Sequence, residues 1–246
     1  MKKGFTLAEI LITLGIVGIV AAMTIPNLIA MANERATVAK LKETYSILQQ
    51  GFRRAIDEYG EVSAWCNVSS GEGSYNDCTT KLPKILSEFV SMSPCPWDSC
   101  TSRSYTNRHS TYKTSISYGK PVYMLKNGTV LIFNVGNGDM YPTLWCKVSL
   151  NETNSNDLYQ KNCGSIIVDL NGNQGPNVDG RDLFAFKIYQ DGIAPNGRKK
   201  DTVWVDSFNQ ICMGRNPTIN LYVGTCTAWV LENENMDYLH NSDLTW

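Results

Sequence analysis

The chain has 246 residues, with 22 Lys and Arg, 23 Asp and Glu, eight Cys and two His. A formal net charge of −1 excludes a protein that binds polyanions over its whole surface, although a local basic patch is compatible with it. The length fits one large or two small domains, and 43% hydrophobic residues suffice for a sizeable core. Because only His109 and His240 are available, few histidine-based catalytic or zinc sites are open to this chain.

An apolar segment follows directly after a short basic start. Residues 5–25 carry one ionisable side chain, Glu9, and a helix of this length is about 31 Å long, close to the thickness of a bilayer core. Lys2 and Lys3 precede the segment, so the positive-inside rule places the N-terminus in the cytoplasm and the residues after Ala32 outside. The sequence therefore predicts a single membrane-spanning helix at 5–25 and an exported remainder.

Glu9 distinguishes three interpretations of this segment. A secretory signal cut after Ala32 and a plain uncleaved anchor both leave a costly carboxylate in the span without a role. The third interpretation rests on residues 4–9, Gly-Phe-Thr-Leu-Ala-Glu. They resemble the class III signal of type IV pilins and type II secretion pseudopilins, in which a carboxylate at this position has a function.

The resemblance implies how the segment is processed. A prepilin peptidase would cut between Gly4 and Phe5 and methylate the new Phe5 amine, while the apolar helix stays in the mature protein. Glu9 would neutralise this amine in its own chain or in a neighbouring subunit and would set the register of assembly. Pro26 lies where the long helix of this family is bent or locally melted.

The resemblance also implies a function, a location and a set of partners. The expected protein is a structural subunit of a type IV pilus or a type II secretion pseudopilus, and not an enzyme. It would be a single-pass inner-membrane protein with an exported head, and after assembly part of a periplasmic or extracellular filament. Its partners would be other pilin or pseudopilin subunits, the prepilin peptidase, the inner-membrane assembly platform and, before assembly, membrane lipid.

The residues after Pro26 have the pattern of an amphipathic helix. Apolar side chains recur at intervals of three or four residues, and Gly60 supplies a C-terminal cap. The predicted stripe consists of Leu41, Tyr45, Leu48, Phe52, Ile56 and Tyr59. The predicted organisation is a leader at 1–4, one long helix at 5–59 and a disulfide-containing α+β head domain at 60–246.

The head pattern begins with a short helix at 82–91, with Pro83 in its first turn, and continues with strands. Asn127-Gly128 predicts a two-residue turn with positive φ angles between strands at 122–126 and 129–135. Consecutive short strands predict an antiparallel sheet, and hence a pilin-like α+β fold whose long N-terminal helix packs on the sheet. Further strands are predicted at 143–149, 165–169, 183–189, 202–205 and 219–223.

All eight cysteines follow the predicted span, in what would be an oxidising compartment. Sequential pairing would close four short loops, each contributing about 2–4 kcal/mol to stability. A zinc site is the alternative, but the chain contains no Cys-x-x-Cys. The predicted pairs are Cys66 with Cys78, Cys95 with Cys100, Cys146 with Cys163, and Cys212 with Cys226.

Residues 169–182 join two predicted strands and are rich in side chains that carry oxygen. The first of these side chains alternate as in calcium-binding loops, although the glycine and glutamate positions of an EF-hand are absent. The prediction is a short calcium turn, and the alternative is an ordinary connection of turn-forming residues. The candidate ligands are Asp169, Asn171, Asn173, Asn177, Asp179 and Asp182.

A stretch between residues 101 and 138 contains five basic side chains, no acidic one and four tyrosines. Such a stretch suits phosphate contact with base stacking, but it is more commonly a solvated face, so nucleic acid is the less favoured partner. A further hypothesis pairs it with the acidic segment 216–246 of a stacked subunit. The side chains are Arg103, Arg108, Lys113, Lys120, Lys126, Tyr105, Tyr112, Tyr118 and Tyr123.

Two other functions stay open at this point. One is a minor or tip pilin that acts as an adhesin or binds DNA through the basic stretch. The other is an exported soluble domain with a conventional signal, including an enzyme, although the chain lacks the phosphate-binding, nucleophile-elbow and His-Glu-x-x-His motifs.

Overall fold

One long helix and an antiparallel sheet dominate the fold. The computed structural model describes residues 4, 6–65, 73–96, 104–106, 108–109, 113–115, 121–135, 146, 163–200, 207–215 and 223–246. The long N-terminal helix packs on the sheet, so the predicted α+β architecture is confirmed. The strand predicted at 202–205, and most of those predicted at 143–149 and 219–223, lie outside the described residues.

Helix α1 spans Leu7–Tyr59 and contains 53 residues. Thr6 caps its N-terminus, and Gly60 ends it with a φ angle of 75°, a left-handed conformation that glycine adopts without steric cost. The helix continues without interruption through Pro26, so it is not melted there. The predicted end of the helix is therefore confirmed, and its first helical residue lies two positions later than predicted.

The two halves of α1 differ completely in burial. The first half contains an 18-residue apolar window with a mean hydropathy of 2.2, none of it buried, and is long and apolar enough to cross a membrane. The second half is covered by the head along one face. The buried residues there are Val38, Leu41, Thr44, Leu48, Gly51, Phe52 and Ala55.

The predicted stripe on α1 is correct in its centre and wrong at its end. Leu41, Leu48 and Phe52 are fully buried, and Tyr45 stacks on Phe186 of the sheet with ring centroids 5.2 Å apart. Tyr59 is 43% exposed, because the last turn of α1 extends beyond the part of the helix that the core covers.

Helix α2 spans Gly73–Phe89, so it begins nine residues before the predicted helix. Its first turns are mostly polar, and Cys78, which continues the spacing of Leu82 and Leu86, was interpreted as half of a disulfide and not as a core position. Pro83 consequently lies in the helix interior and not in its first turn, a position that costs about 3 kcal/mol in an isolated helix. Leu82 and Leu86 are fully buried in the core, and this burial offsets the cost.

The sheet has six strands in the order β1-β4-β5-β6-β7-β8, all antiparallel to their neighbours, while β2 and β3 form a separate ribbon. A third helix, α3 (Thr227–Asn233), packs on β7 and β8. The strands are β1 (Met92–Pro94), β2 (Ser104–Thr106), β3 (Lys113–Ser115), β4 (Val122–Leu125), β5 (Val130–Asn134), β6 (Gly164–Asp169), β7 (Leu183–Tyr189) and β8 (Gly192–Pro195).

The hairpin between β4 and β5 exists, but its turn differs from the predicted one. The Gly128 amide donates to the Leu125 carbonyl, and the Leu125 amide donates to the Thr129 carbonyl. Gly128 has a φ angle of 81°, whereas Asn127 does not have a positive φ. The loop is therefore the three-residue type with glycine in the left-handed position, and not a two-residue Asn-Gly turn.

The central strands β6 and β7 are buried on both faces of the sheet. Because successive side chains point to opposite faces, Phe184 and Phe186 join the core beneath α1, while Leu183 and Ala185 join a smaller core on the far side. Tyr105 of the ribbon fills this second core. The near-continuous apolar run of β7 thus follows from coverage on both faces.

Gly51 permits the close approach of α1 to the end of α2. A Cβ atom placed on Gly51 would lie 2.1 Å from Cγ2 of Val90, which is itself buried. We expect Gly51→Leu to lower the free energy of unfolding by about 1–3 kcal/mol, the usual effect of overpacking. Denaturant unfolding of the purified full chain in detergent measures this change. Gln50→Leu adds the same side chain to the exposed face of α1 and serves as the control; equal stability of the two variants would contradict the close approach.

Candidate functional site

Thr6 and Glu9 form a reciprocal capping box at the start of α1. The Thr6 amide and hydroxyl each donate to Glu9 Oε2 at 2.8 Å, and the Glu9 amide donates to Thr6 Oγ1 at 3.3 Å. Because the first amides of a helix lack partners within the helix, this arrangement stabilises the start of α1. The Thr-x-x-Glu spacing is a known capping signal, and sequence reasoning missed it.

The capping box also places the Glu9 carboxylate next to the predicted processing site. Oε2 lies 2.8 Å from the amide of Thr6, the residue directly after Phe5. Gly4 is exposed, and Phe5 itself lies outside the described residues. A cut between Gly4 and Phe5 would leave a free amine on Phe5, the residue directly before Thr6, whose amide donates to this carboxylate. The roles of Gly4, Phe5 and Glu9 in processing and neutralisation stay predictions.

Two threonines in the apolar half of α1 satisfy their hydroxyls within the helix. Thr13 Oγ1 donates to the Glu9 and Ile10 carbonyls at 3.0 and 2.9 Å, and Thr24 Oγ1 donates to the Val20 carbonyl at 3.0 Å. These hydroxyls therefore need no partner outside the helix, as an apolar environment requires. The surface around them consists of exposed Leu, Ile, Val and Met side chains from Leu7 to Met31.

In the loop at 169–182, Asp182 organises the turn. Its Oδ2 accepts from the Asn177 amide and from Asn171 Nδ2, both at 2.9 Å, and its Oδ1 accepts from the Val178 amide. Asp179 points elsewhere, because its Oδ1 accepts from the Gly224 amide at 2.7 Å. N–H donors thus approach these two carboxylates where a cation would otherwise lie.

This geometry does not support the predicted calcium site. Asp169 is buried at the end of β6 and Asn173 is exposed, and no three acidic, His or Cys side chains converge anywhere in the described part of the chain. The amide oxygens of Asn171 and Asn177 are buried and accept no hydrogen bond. Two of the six candidate ligands, Asp179 and Asp182, thus accept amide hydrogens, whereas calcium takes about 6–8 oxygen ligands. Calcium binding itself stays a prediction.

Asp179 belongs to a buried polar cluster that joins three segments of the head. The guanidinium of Arg108 lies 4.8 Å from the centre of the Tyr238 ring and donates to the Cys212 carbonyl. Tyr238 Oη donates to the Gly180 carbonyl at 2.7 Å. Burial raises the pKa of Asp179 to about 6, and the Gly224 amide and Arg108 oppose this rise.

Part of the predicted nucleic-acid surface is packed inside the head. Tyr105 is 2% exposed, Arg108 is committed inside the head, and Tyr123 packs edge-on against Phe133 at 5.8 Å. Lys126 is exposed. Arg103, Lys120, Tyr112 and Tyr118, and the side chain of Lys113, lie outside the described residues.

Arg108, a member of the basic stretch, has partners in its own chain, whereas the hypothesis that the stretch meets the acidic segment 216–246 of another subunit stays a prediction. Two charged or ionisable side chains of that segment also have partners in their own chain. Glu234 pairs with Lys42 at 2.7 Å, and His240 bonds Glu34 at 2.7 Å. Both partners lie on α1, so the C-terminal segment fastens to the long helix.

The cysteines follow the predicted pairing in part. The disulfides Cys146–Cys163 and Cys212–Cys226 are present, which confirms two pairs. Cys95 is disulfide-bonded, and its predicted partner Cys100 lies outside the described residues. Cys78 is a correction, since it carries a free thiol. It lies on the face of α2 that enters the core and is 3% exposed, while Cys66 lies outside the described residues.

Titration of Asp179 makes the stability of the head depend on pH. A carboxyl whose pKa is raised by folding stabilises the folded state below its unfolded pKa, and this contribution is lost as pH rises through the folded value near 6. We expect the free energy of unfolding to fall by roughly 2 kcal/mol between pH 4 and 6.5 from this residue.

Asp179→Asn removes the titrating group and should flatten this pH dependence, as thermal unfolding of the full chain at a series of pH values would show. Asp243→Asn, at an exposed position, is the control. An unchanged pH profile in Asp179→Asn would contradict the assignment.

The comparisons with known proteins agree with the N-terminal geometry. Residues 1–25 match the family described as the prokaryotic N-terminal methylation motif. No curated protein and no solved structure matches the chain. The match covers the processing site, the Thr6–Glu9 capping box and most of the exposed apolar half of α1. The chain therefore carries the prepilin-type N-terminal methylation motif that is typical of type IV pilins and pseudopilins.

Proposed function

We propose that the chain is a structural subunit of a type IV pilus or a type II secretion pseudopilus, cut by prepilin peptidase between Gly4 and Phe5. One observation carries this proposal: the methylation motif at 1–25 lies on a helix whose apolar first half is covered by nothing in the described chain. A helix that is apolar on every side needs lipid or other helices around it. The same half of α1 would serve first as a membrane anchor and then as the contact between subunits.

The head supports export of the part that follows the helix. Both described disulfides lie in it, and disulfides persist in oxidising compartments such as the periplasm and the cell surface. With Lys2 and Lys3 on the cytoplasmic side, the chain would span the inner membrane once before assembly. The expected partners are other pilin or pseudopilin subunits, the peptidase and the assembly platform.

The two alternatives have less support. A conventional signal cut after Ala32 would fall inside α1, which is continuous from Leu7 to Tyr59. The interpretation as an adhesive or DNA-binding tip subunit rests on the basic stretch. Two of its residues are not available for such a ligand, because Arg108 donates to the Cys212 carbonyl and Tyr105 is buried. A tip or minor subunit would share the same processing and anchoring, so it differs from the main proposal only in its place in the filament.

The mass of the mature N-terminus tests the proposal. We expect the chain, produced with a prepilin peptidase, to begin at a methylated Phe5, and Gly4→Val to retain the leader at 1–4. Gly4 is exposed, and a Cβ atom there meets nothing within 4 Å, so the substitution leaves the fold intact. Ala32→Val, at the conventional cleavage site, is the control and should be processed normally. A mature chain that begins at Asn33 would contradict the proposal.

Glu9→Gln separates the charge of Glu9 from its capping role. Glutamine also accepts hydrogen bonds at this position of a capping box, so the start of α1 should be preserved. We expect normal cleavage but an assembled fraction reduced by about tenfold or more, the effect of losing one significant charge interaction. Sedimentation of filaments sheared from cells measures this fraction. Normal filament yield from Glu9→Gln would show that the carboxylate acts only as a helix cap.

A further inference from the structure

An acidic patch lies where α1 ends, next to the end of α2. Tyr59 Oη donates to Glu88 at 2.7 Å. This hydrogen bond and the negative charges of Glu88 and Glu58 raise the pKa of Tyr59. Tyr59 is an exposed aromatic side chain, and its ring lies edge-on to Phe89 with centroids 6.1 Å apart. The acidic patch, defined as Glu58, Tyr59 and Glu88, is therefore a projecting aromatic residue flanked by two carboxylates.

A basic cavity lies elsewhere on the head, between β8 and α3. Its volume is about 460 Å³, and the basic residues 198–200 line it together with Glu232. Its apolar lining consists of Pro195, Ala228 and Leu231. The basic cavity thus combines an apolar surface with three cationic side chains.

The acidic patch and the basic cavity lie on opposite flanks of α1. Helix α2 contacts α1 and β5, toward one edge of the sheet, whereas β8 forms the other edge and α3 packs on β7 and β8. They also lie at different levels along α1, because Tyr45 stacks on Phe186, the strand partner of Pro195, and Tyr59 lies roughly 20 Å further along the helix. Two copies can bring the two surfaces together when the α2 flank of one lies beside the β8 flank of the other and the copies are shifted along the helix axis by about this distance.

We propose that the acidic patch of one copy docks in the basic cavity of the next, with Tyr59 against the apolar lining and Glu58 and Glu88 near Lys199 and Lys200. The proposal rests on the proposed function as a filament subunit and names a contact between its heads. Because the two surfaces differ, the contact is head-to-tail, and such contacts repeat into helical filaments when they do not close into a ring.

The contact would select orientation more than it would supply affinity. Arg54 lies one turn before Glu58, Lys84 lies one turn before Glu88, and Glu232 lines the cavity, so neither surface carries a single sign. Charge pairs at the exposed rim of an interface mainly set association rate and register. The aromatic ring of Tyr59 is the part that would become desolvated.

A zero-length carbodiimide cross-linker, which joins carboxylates to lysine amines, tests the contact directly. The full chain is cross-linked in membranes of producing cells, and the dimer band is analysed by peptide mass spectrometry. We expect peptides that join Glu58 or Glu88 to Lys199 or Lys200 in the dimer band and not in the monomer band. Dimers without these peptides, or the absence of a cross-linked dimer, would overturn the proposal.

Charge reversal supplies the specificity test. Glu88→Lys and Lys199→Glu should each reduce the cross-linked dimer by about tenfold, and the double variant should recover it, since reversing both surfaces restores attraction. Asp243→Lys and Lys126→Glu change net charge equally at exposed positions outside both surfaces and should leave the dimer unchanged. Failure of the double variant to recover the dimer would overturn the pairing.

The N-terminal mass, measured on the same samples, distinguishes this proposal from the proposed function. Methylated Phe5 without the expected cross-links would exclude the contact and leave the filament function standing. The expected cross-links in a chain that starts at Asn33 would support the contact between heads and contradict the filament function.

Discussion

The burial of only one half of α1 is the constraint on which the rest of the structure depends. The apolar window of its first half is not buried against any described part of the chain, whereas its second half, from Val38 to Ala55, lies in the core. Water is a poor solvent for the first half, and no described part of the head covers it. In the proposed function, lipid surrounds this surface before assembly and other subunits surround it afterwards.

The head is built to hold the second half of this helix firmly. The sheet covers it from one side, α2 lies along it, and Leu41, Leu48 and Phe52 contribute fully buried side chains. The C-terminal segment adds two polar contacts on α1, at Glu34 and at Lys42. Exposed pairs of this kind contribute little stability, so the apolar contacts account for most of the attachment. The polar contacts fix where the segment lies.

The parts of the fold that sequence predicted are those with strong local patterns. The period of α1 and the apolar run of β7 were readable because a helical stripe and a doubly buried strand each have a distinct pattern. The early turns of α2 were not readable, since they are mostly polar and their described buried residue, Cys78, was interpreted as half of a disulfide. The Asn127-Gly128 signal located the hairpin but not its turn type, which depends on the register of the flanking strands.

The functional residues likewise could be predicted where they form a local pattern in the sequence. Gly4, Phe5 and Glu9 form a contiguous motif, so sequence reasoning could recognise it. The cluster of Arg108, Asp179 and Tyr238 joins segments far apart in the chain. Sequence reasoning placed these three residues in three separate features, a nucleic-acid surface, a calcium turn and an acidic C-terminal segment. The spacing of side chains that carry oxygen could not distinguish a metal site from a turn, because a carboxylate such as that of Asp182 can accept N–H groups as well as bind a cation.

The continuity of α1 through Pro26 also has a mechanical consequence. A tensile load on the head would pass into the apolar half along one unbroken helix. Proline removes one backbone hydrogen bond and weakens the preceding turn, so the helix should stretch first just before residue 26. Extension of this one turn would let a subunit lengthen under load while the fold of its head is unchanged.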